Sequence, residues 1–168
     1  MKKIAVDVEG VLADSHAVAR KEFDDDILNS WGFPNKETEN KFLNLLSNEW
    51  HNNWEDIDLV TETAPYGVKI LNELYDLDIV TARTDADEEI LNWLDQNNIE
   101  YQGFVSTKTY KERLGYDIYI DDNPHMVGED ITLFLHDQPW NSNVEPQNRV
   151  NSVAQAAAQI IMNDEGTN

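Results

Sequence analysis

Short apolar runs alternate with amphipathic patterns along most of the chain. Each run has the length and the Val, Ile and Leu content of a buried strand, whereas the stretches between the runs repeat apolar residues every three or four positions, as helices do. This alternation predicts an α/β fold with a doubly wound parallel sheet. The predicted strands lie at 4–6, 77–81, 104–105, 118–120 and 131–135, and the predicted helices lie at 65–74, around 90–94 and in the Ala-rich stretch near the carboxyl terminus.

Residues 15–54 depart from this alternation. Their apolar side chains, such as Phe42, Leu46 and Trp50, fall at helical spacing, and Gly32-Phe33-Pro34 interrupts the pattern. We therefore predict two helices separated by this break and no strand. The predicted organisation is a core domain of residues 1–14 and 65–168 and a helical insertion of residues 15–64, with a frayed tail at 165–168.

Three predicted strands end in polar side chains. Asp7 and Glu9 follow the first run and point the same way, because strand side chains alternate with period two. The second strand ends in Thr81 and the fourth in Asp121-Asp122, and Lys111 lies about ten residues before that acidic pair. Parallel strands bring their carboxyl ends to one edge of a sheet, so we expect these groups to converge in one crevice.

Carboxylates held close together repel one another unless a cation compensates them. Ligand sets made only of oxygen suit Mg²⁺, which typically completes its shell with water and a substrate phosphate. We therefore predict that Mg²⁺ binds between Asp7 and an acid of the Asp121-Asp122 pair. Phosphoryl transfer at this site would use Asp7 as the nucleophile and Glu9 as the proton donor, while Lys111 and Thr81 stabilise the phosphoryl oxygens.

The four motifs, in this order and at strand ends, resemble the haloacid dehalogenase (HAD) superfamily of phosphohydrolases. They are Asp7-Val8-Glu9-Gly10-Val11, a strand ending in Thr81, Lys111, and a strand ending in Asp121-Asp122. The resemblance covers residues 4–122 and implies a HAD-like Rossmannoid core with a cap domain at the position of the helical insertion.

The resemblance also implies roles for individual residues. Asp7 is similar to the nucleophile that forms an aspartyl-phosphate, and Glu9 to the general acid/base whose backbone carbonyl also binds Mg²⁺. The implied metal ligands are therefore Asp7, Glu9, Asp121 and Asp122, and the implied substrate-binding residues are Thr81, Ala82, Arg83 and Lys111.

Further stretches resemble the 5'(3')-deoxyribonucleotidase branch of this superfamily, the cytosolic type C 5'-nucleotidases. They lie at 10–14, 120–124 and 133–141, and a Pro-containing helix entry precedes Thr81. Glu9 is the main departure, because this branch normally has Asp there. The enolase-phosphatase branch carries Asp-x-Glu-Gly, and the added methylene moves the carboxylate by about one C–C bond, ~1.5 Å.

Several residues keep an alternative interpretation. Lys108 competes with Lys111 for the phosphate, although the spacing to Asp121 favours Lys111. Arg83 would either reach the leaving group or pair with a nearby acid. The four histidines show no metal-ligand spacing. The aromatic residues of the insertion would either pack its helices or form an apolar slot for a leaving group; they are Trp31, Phe33, Trp50 and Trp54.

Composition narrows the range of partners. The 168 residues suit one domain of ordinary size, and the absence of cysteine rules out disulfides and thiolate chemistry. No stretch resembles a signal peptide or a membrane span, which favours a cytoplasmic location. A net charge of −21 argues against nucleic-acid polymers and anionic membranes as partners and is typical of halophilic proteins.

The sequence thus predicts a Mg²⁺-dependent HAD-type phosphomonoesterase that acts on a small phosphate ester, with a nucleoside monophosphate as the leading substrate. Two alternatives stay open. One is a phosphatase for another small phosphate ester, and the other is a catalytically weak regulatory protein that binds Mg²⁺ and phosphate, with Glu9 marking the loss of proton transfer.

The charge generates a prediction about salt. We expect the Tm to rise steeply with KCl, because screening shortens the Debye length from about 10 Å at 0.1 M to about 3 Å at 1 M and weakens repulsion among exposed acids. Thermal melts across a KCl series measure this effect. Sucrose at matched osmolality is the control, since it stabilises folded proteins without screening charge. A Tm that does not change with KCl would contradict the halophilic interpretation.

Overall fold

Six parallel strands form one sheet in the computed structural model of the protein, which describes residues 1–166. The strands are β1 (Lys3–Val6), β2 (Asp76–Thr81), β3 (Gly103–Ser106), β4 (Ile118–Asp121), β5 (Thr132–His136) and β6 (Asn148–Val150). The helices are α1 (Asp25–Leu28), α2 (Lys36–Asn53), α3 (Ala64–Leu74), α4 (Asp87–Gln96) and α5 (Val153–Gly166). The strand order is β3-β2-β1-β4-β5-β6, which confirms the predicted doubly wound α/β class.

Alternate side chains of the central strands pack on opposite faces of the sheet. Ile4 and Val6 of β1 belong to the larger apolar cluster, which also contains buried residues of α3, α4 and α5. Ala5 belongs to a second cluster on the other face, together with Tyr119 and Leu135. Both faces of β1 are therefore covered, and this burial explains why β1 appears in the sequence as a continuous apolar run.

The prediction missed β6. This strand has three residues and pairs only with β5 at the edge of the sheet. Its residues are Asn148, Arg149 and Val150, and Val150 is the single apolar residue among them. β6 therefore lacks the apolar run by which the other strands were predicted. The predicted strands and helices of the remaining core agree with the structure, apart from boundaries such as the start of α3 at Ala64 rather than residue 65.

Residues 15–63, which form most of the chain between β1 and α3, are helical but less regular than predicted. Before the break at Gly32-Phe33-Pro34 it forms only 3₁₀ turns and the single-turn α1, so the first of the two predicted helices is largely absent. After the break, α2 runs for 18 residues and begins at Asn35, whose side chain accepts a hydrogen bond from the Thr38 amide over 2.9 Å. We call residues 15–63 the inserted segment.

Two backbone contacts join the ends of the inserted segment. The Asp14 amide donates to the Asp58 carbonyl, and the Val60 amide donates to the Leu12 carbonyl, both over 2.8 Å. The chain thus leaves and re-enters the sheet domain at neighbouring positions. A small apolar cluster of Ala19, Phe42 and Leu46 lies within the segment itself.

The carboxyl terminus differs from the predicted frayed tail. Residues 165 and 166 are the last residues of α5, and residues 167 and 168 lie outside the described part of the chain. Among residues 1–166, none of the helices combines the length and the apolar character needed to cross a bilayer.

Candidate active site

The carboxyl ends of β1 and β4 bring three acids together. These two strands are neighbours in the middle of the sheet, with β2 and β3 beyond β1 and with β5 and β6 beyond β4. Open α/β sheets bind ligands at the point where the strand order reverses in this way. The Asp7 amide donates to the Ile120 carbonyl over 3.0 Å and thereby continues the pairing of the two strands. One carboxylate oxygen from each of Asp7, Asp121 and Asp122 lies within 4.8 Å of the others, and all three residues are buried.

Lys111 enters this acid cluster. Its ammonium lies 2.7 Å from Asp7 Oδ1 and 2.8 Å from Asp121 Oδ2. Lys108, the competing candidate, is exposed and donates instead to the Ala82 carbonyl over 3.0 Å. The structure therefore brings Lys111 into contact with the predicted nucleophile and leaves Lys108 beside the loop that follows β2.

The acid cluster carries more negative charge than its lysine compensates. Burial, together with the charge of Asp121, raises the pKa of Asp7 to about 7 despite the ammonium of Lys111. Burial and the charges of Asp7 and Asp121 also raise the pKa of Asp122 well above its usual value. Burial opposes the charged form of Lys111, but the two neighbouring carboxylates raise its pKa. These oxygen donors fit a hard divalent cation, which would relieve the repulsion.

Asp121 and Asp122 differ in how their oxygens are used. Asp121 accepts from Lys111 at Oδ2 and from the Asn123 amide at Oδ1, over 3.0 Å. Asp122 accepts from Trp140 Nε1 at Oδ2 over 3.0 Å, and its carboxylate lies within hydrogen-bonding reach of Asp7. The oxygens of Asp121 are thus engaged by protein donors, whereas the Asp122 carboxylate faces that of Asp7.

The turn after β1 requires glycine at residue 10. Gly10 has a φ of +79°, and an added Cβ would lie 2.1 Å from Asp122 Oδ2 and 2.9 Å from Trp140 Cζ2. The side chain of Gln138 also donates to the Gly10 carbonyl over 2.7 Å. This close approach of backbone to carboxylate places Asp122 directly beside the loop that carries Asp7 and Glu9.

Glu9 lies apart from the acid cluster. Its Oε1 accepts hydrogen bonds from Ser15 Oγ and Trp50 Nε1, both over 2.8 Å, and its Oε2 accepts from Arg83 Nε over 3.0 Å. Burial favours the neutral acid, but the charge of Arg83 and the hydrogen bonds from Trp50 and Ser15 bring the pKa of Glu9 below its usual value. The extra methylene relative to aspartate thus carries this carboxylate toward the inserted segment.

Thr81 and Arg83 lie at the end of β2. Thr81 is buried, and its hydroxyl accepts a hydrogen bond from the Arg83 amide over 3.1 Å. The Arg83 guanidinium pairs with Glu9 and, over 3.1 Å, with Asp85. Of the two interpretations of Arg83, the structure therefore shows pairing with nearby acids.

One cavity of about 720 Å³ contains all the predicted site residues: Asp7, Glu9, Thr81, Ala82, Arg83, Lys111, Asp121 and Asp122. Its outer wall comes from the inserted segment and includes Trp31, Phe33 and Phe42. The other two aromatic candidates, Trp50 and Trp54, are not among its lining residues and pack instead against the main core. The aromatic candidates therefore divide between lining the cavity and packing.

Sequence reasoning missed several supporting residues. Trp140 and Asn141 lie in a turn after β5, and Asn141 Nδ2 donates to the Asp122 carbonyl over 2.9 Å. His16 stacks on Trp140 with ring centroids 4.5 Å apart and lines the cavity. The stretch 133–141 was noticed only for its family resemblance, and no local signal connected Ser15 or His16 to the site.

The sequence profile of the family described as 5' nucleotidase, deoxy (pyrimidine), cytosolic type C matches residues 2–165. No curated protein sequence matches the chain significantly.

Solved structures share the fold at low identity. A haloacid dehalogenase-like hydrolase from Streptococcus pneumoniae is 16% identical with a TM-score of 0.63, covering 95% of this chain and 98% of its own. A haloacid dehalogenase-like hydrolase from Xanthomonas campestris is 10% identical with a TM-score of 0.61, covering 99% of this chain and 97% of its own. CbbY from Rhodobacter sphaeroides, solved with phosphate, is 11% identical with a TM-score of 0.60, covering 92% and 96%.

The family match spans nearly the whole chain, and the solved structures show that the fold is that of HAD hydrolases. Both findings confirm the resemblance noted in the sequence. The chain belongs to the 5' nucleotidase, deoxy (pyrimidine), cytosolic type C family and is a HAD-type phosphatase.

Proposed function

We propose that this protein is a Mg²⁺-dependent phosphomonoesterase that forms an aspartyl-phosphate on Asp7 and hydrolyses nucleoside monophosphates. The observation that carries the proposal is the buried cluster in which Lys111 bridges Asp7 and Asp121 beside Asp122. A nucleophilic carboxylate next to a fixed ammonium and a further acid pair suits attack on a phosphoryl group.

The residues of the cluster divide the chemistry among them. An oxygen of Asp7 attacks phosphorus, and Lys111 and Thr81 hold the phosphoryl oxygens, with the backbone at Ala82 and Arg83 beside them. Glu9, once it has taken up a proton from solvent, gives that proton to the departing oxygen as the P–O bond breaks. Its carboxylate then takes a proton from the water that hydrolyses the aspartyl-phosphate. Mg²⁺, when bound, neutralises charge on the phosphoryl group and on the acids that surround it.

Asp7, Asp122 and the backbone carbonyl of Glu9 are the proposed metal ligands. Asp121 is better described as the partner of Lys111, because both of its oxygens already accept hydrogen bonds from protein donors. Asp122 keeps a carboxylate that faces Asp7 and is oriented by Trp140.

The inserted segment is the proposed cap, and it supports a nucleoside as the leaving group. Its aromatic side chains Trp31, Phe33 and Phe42 suit a flat, uncharged group that stacks on a ring. Among the residues that line the cavity, Arg83 and Lys111 each form ion pairs with two acids. Lys108 is the lining lysine that forms no ion pair with the described residues. This charge balance favours a substrate with one phosphoryl group.

The family description names deoxypyrimidine nucleotides and the cytosol. We extend both to this chain as proposals. The substrate is then a nucleoside monophosphate with a small base, and the location is cytoplasmic.

Replacing the nucleophile tests the phosphatase chemistry. We expect Asp7→Asn to abolish Mg²⁺-dependent hydrolysis while the circular dichroism spectrum is kept, because an amide cannot attack phosphorus. Steady-state assays in high KCl, with Mg²⁺ and with chelator, measure this effect, and Asp130→Asn at an exposed acid is the matched control. Activity of Asp7→Asn within about tenfold of wild type would exclude Asp7 as the nucleophile. A wild-type protein that binds Mg²⁺ and phosphate without turnover would favour the regulatory alternative.

The two lysines provide an internal comparison. We expect Lys111→Ala to lower kcat/KM by about 10²-fold or more, as for the loss of one preorganised electrostatic partner. Lys108→Ala should cost far less, because Lys108 is exposed and its ammonium donates to the Ala82 carbonyl and not to an acid of the cluster. Parallel assays of the two variants decide between them, and the reverse order would transfer the phosphate-binding role to Lys108.

A panel of phosphate esters tests the substrate class. We expect nucleoside monophosphates to have higher kcat/KM than sugar phosphates, and triphosphates to react hardly at all, because the cavity combines aromatic walls with a net acidic surface. Assays in high KCl with Mg²⁺ measure the ranking. Sugar phosphates leading by more than about tenfold, roughly 1.4 kcal/mol in transition-state binding, would overturn the nucleotidase proposal and leave the phosphatase assignment intact.

A further inference from the structure

The indole Nε1 of Trp50 contacts Glu9, a residue of the candidate active site. Its ring is fully buried on α2 and packs edge to face against Trp93, with ring centroids 6.1 Å apart. A buried indole N–H needs an acceptor, and that of Trp50 uses Glu9 Oε1 over 2.8 Å. The acceptor is a carboxylate, so this hydrogen bond is charge-assisted and stronger than one to a neutral oxygen.

The added methylene of Glu9 makes this contact possible. An aspartate at residue 9 would hold its carboxylate about 1.5 Å closer to the backbone. The hydrogen bonds from Trp50 and Ser15 are both 2.8 Å long, so a retreat of that length would leave both donors beyond hydrogen-bonding distance. Glutamate at residue 9 and tryptophan at residue 50 therefore form a matched pair.

The donors around Glu9 fix the orientation of its carboxylate. Ser15 and Trp50 of the inserted segment bind one oxygen, and Arg83 of the sheet domain binds the other. Because donors approach both oxygens from different elements, rotation of the carboxylate would break at least one hydrogen bond. The position of the Glu9 carboxylate relative to Asp7 thus depends on how α2 packs against the core.

We propose that Trp50 is a positioning residue, which places the Glu9 carboxyl for proton transfer to the leaving group. The inference rests on the proposed function. In the step concerned, Glu9 first takes up a proton from solvent. The bond from Asp7 to phosphorus then forms, the bond from phosphorus to the leaving oxygen breaks, and that proton moves from Glu9 to the leaving oxygen. A displaced Glu9 would slow this step most for leaving groups that need the proton.

Two matched esters isolate this effect. Phenyl phosphate and para-nitrophenyl phosphate present the same ring, but nitrophenolate leaves readily without a proton and phenolate does not. We expect Trp50→Phe to lower kcat/KM more for phenyl phosphate, so that the ratio of the two values shifts by about tenfold or more toward the nitrophenyl ester. Glu9→Gln removes the acid itself and therefore gives the upper limit for the shift in this ratio of kcat/KM values.

Trp93→Phe is the control for packing. Trp93 is as deeply buried as Trp50 and touches its ring, but its Nε1 donates to the Ile57 carbonyl over 2.8 Å and not to Glu9. Trp93→Phe removes a buried indole hydrogen bond but keeps the contact between Trp50 and Glu9. We therefore expect it to leave the ratio of the two kcat/KM values unchanged. An equal ratio shift in Trp50→Phe and Trp93→Phe, or no shift in either, would overturn the proposal. If Trp50→Phe does not fold, Ser15→Ala removes the other donor to the same oxygen with little change in volume, and the same ratio shift is expected.

A spectroscopic measurement tests the contact without using activity. The Trp50 indole N–H resonance, identified by its loss in Trp50→Phe, should move upfield in Glu9→Gln, because a neutral amide is a weaker acceptor than a carboxylate. The Trp93 resonance should stay in place. If the wild type hydrolyses neither ester nor a nucleoside monophosphate but the Trp50 resonance moves, the proposed function fails while the contact stands. If the wild type is active and the resonance does not move, the positioning role fails by itself.

Discussion

Repulsion among three buried carboxylates at the ends of β1 and β4 is the constraint on which the site depends. Asp7, Asp121 and Asp122 share one small volume, and Lys111 neutralises only part of their charge. A protein keeps such an arrangement where a cation and an anionic substrate relieve it. These unfavourable electrostatics suit a divalent cation and an anionic substrate, the two ligands that the proposed function requires.

The fold holds these acids by backbone geometry and by buried hydrogen bonds. Gly10 lets the loop after β1 approach Asp122, and Asn141 binds the Asp122 carbonyl from the turn after β5. Asn141 is held in turn by Arg149 of β6, whose Nη1 donates to Asn141 Oδ1 over 2.8 Å. The short edge strand β6 therefore supports the position of Asp122, although it lies two strands away from β4.

The inserted segment contributes differently from the sheet. The sheet edge places Asp7 and the Asp121-Asp122 pair at the ends of β1 and β4, which suits chemistry that requires fixed distances. The inserted segment adds the aromatic wall and, through Ser15 and Trp50, two of the donors that hold Glu9. The proton transfer and the leaving-group recognition proposed above therefore both depend on contacts between the inserted segment and the core.

The sequence by itself determined the fold class, because apolar runs and helical periodicity are local properties. The ordered motifs at the strand ends carried the resemblance that pointed to the family. Tertiary structure decided which lysine joins Asp7, since Lys108 and Lys111 are only three residues apart and differ in the direction that the turn gives them. It also decided the surroundings of Glu9, whose partners Trp50 and Arg83 are 41 and 74 residues away. Such contacts depend on how α2 and β2 pack against the loop after β1, and the spacing of residues along the chain does not carry that information.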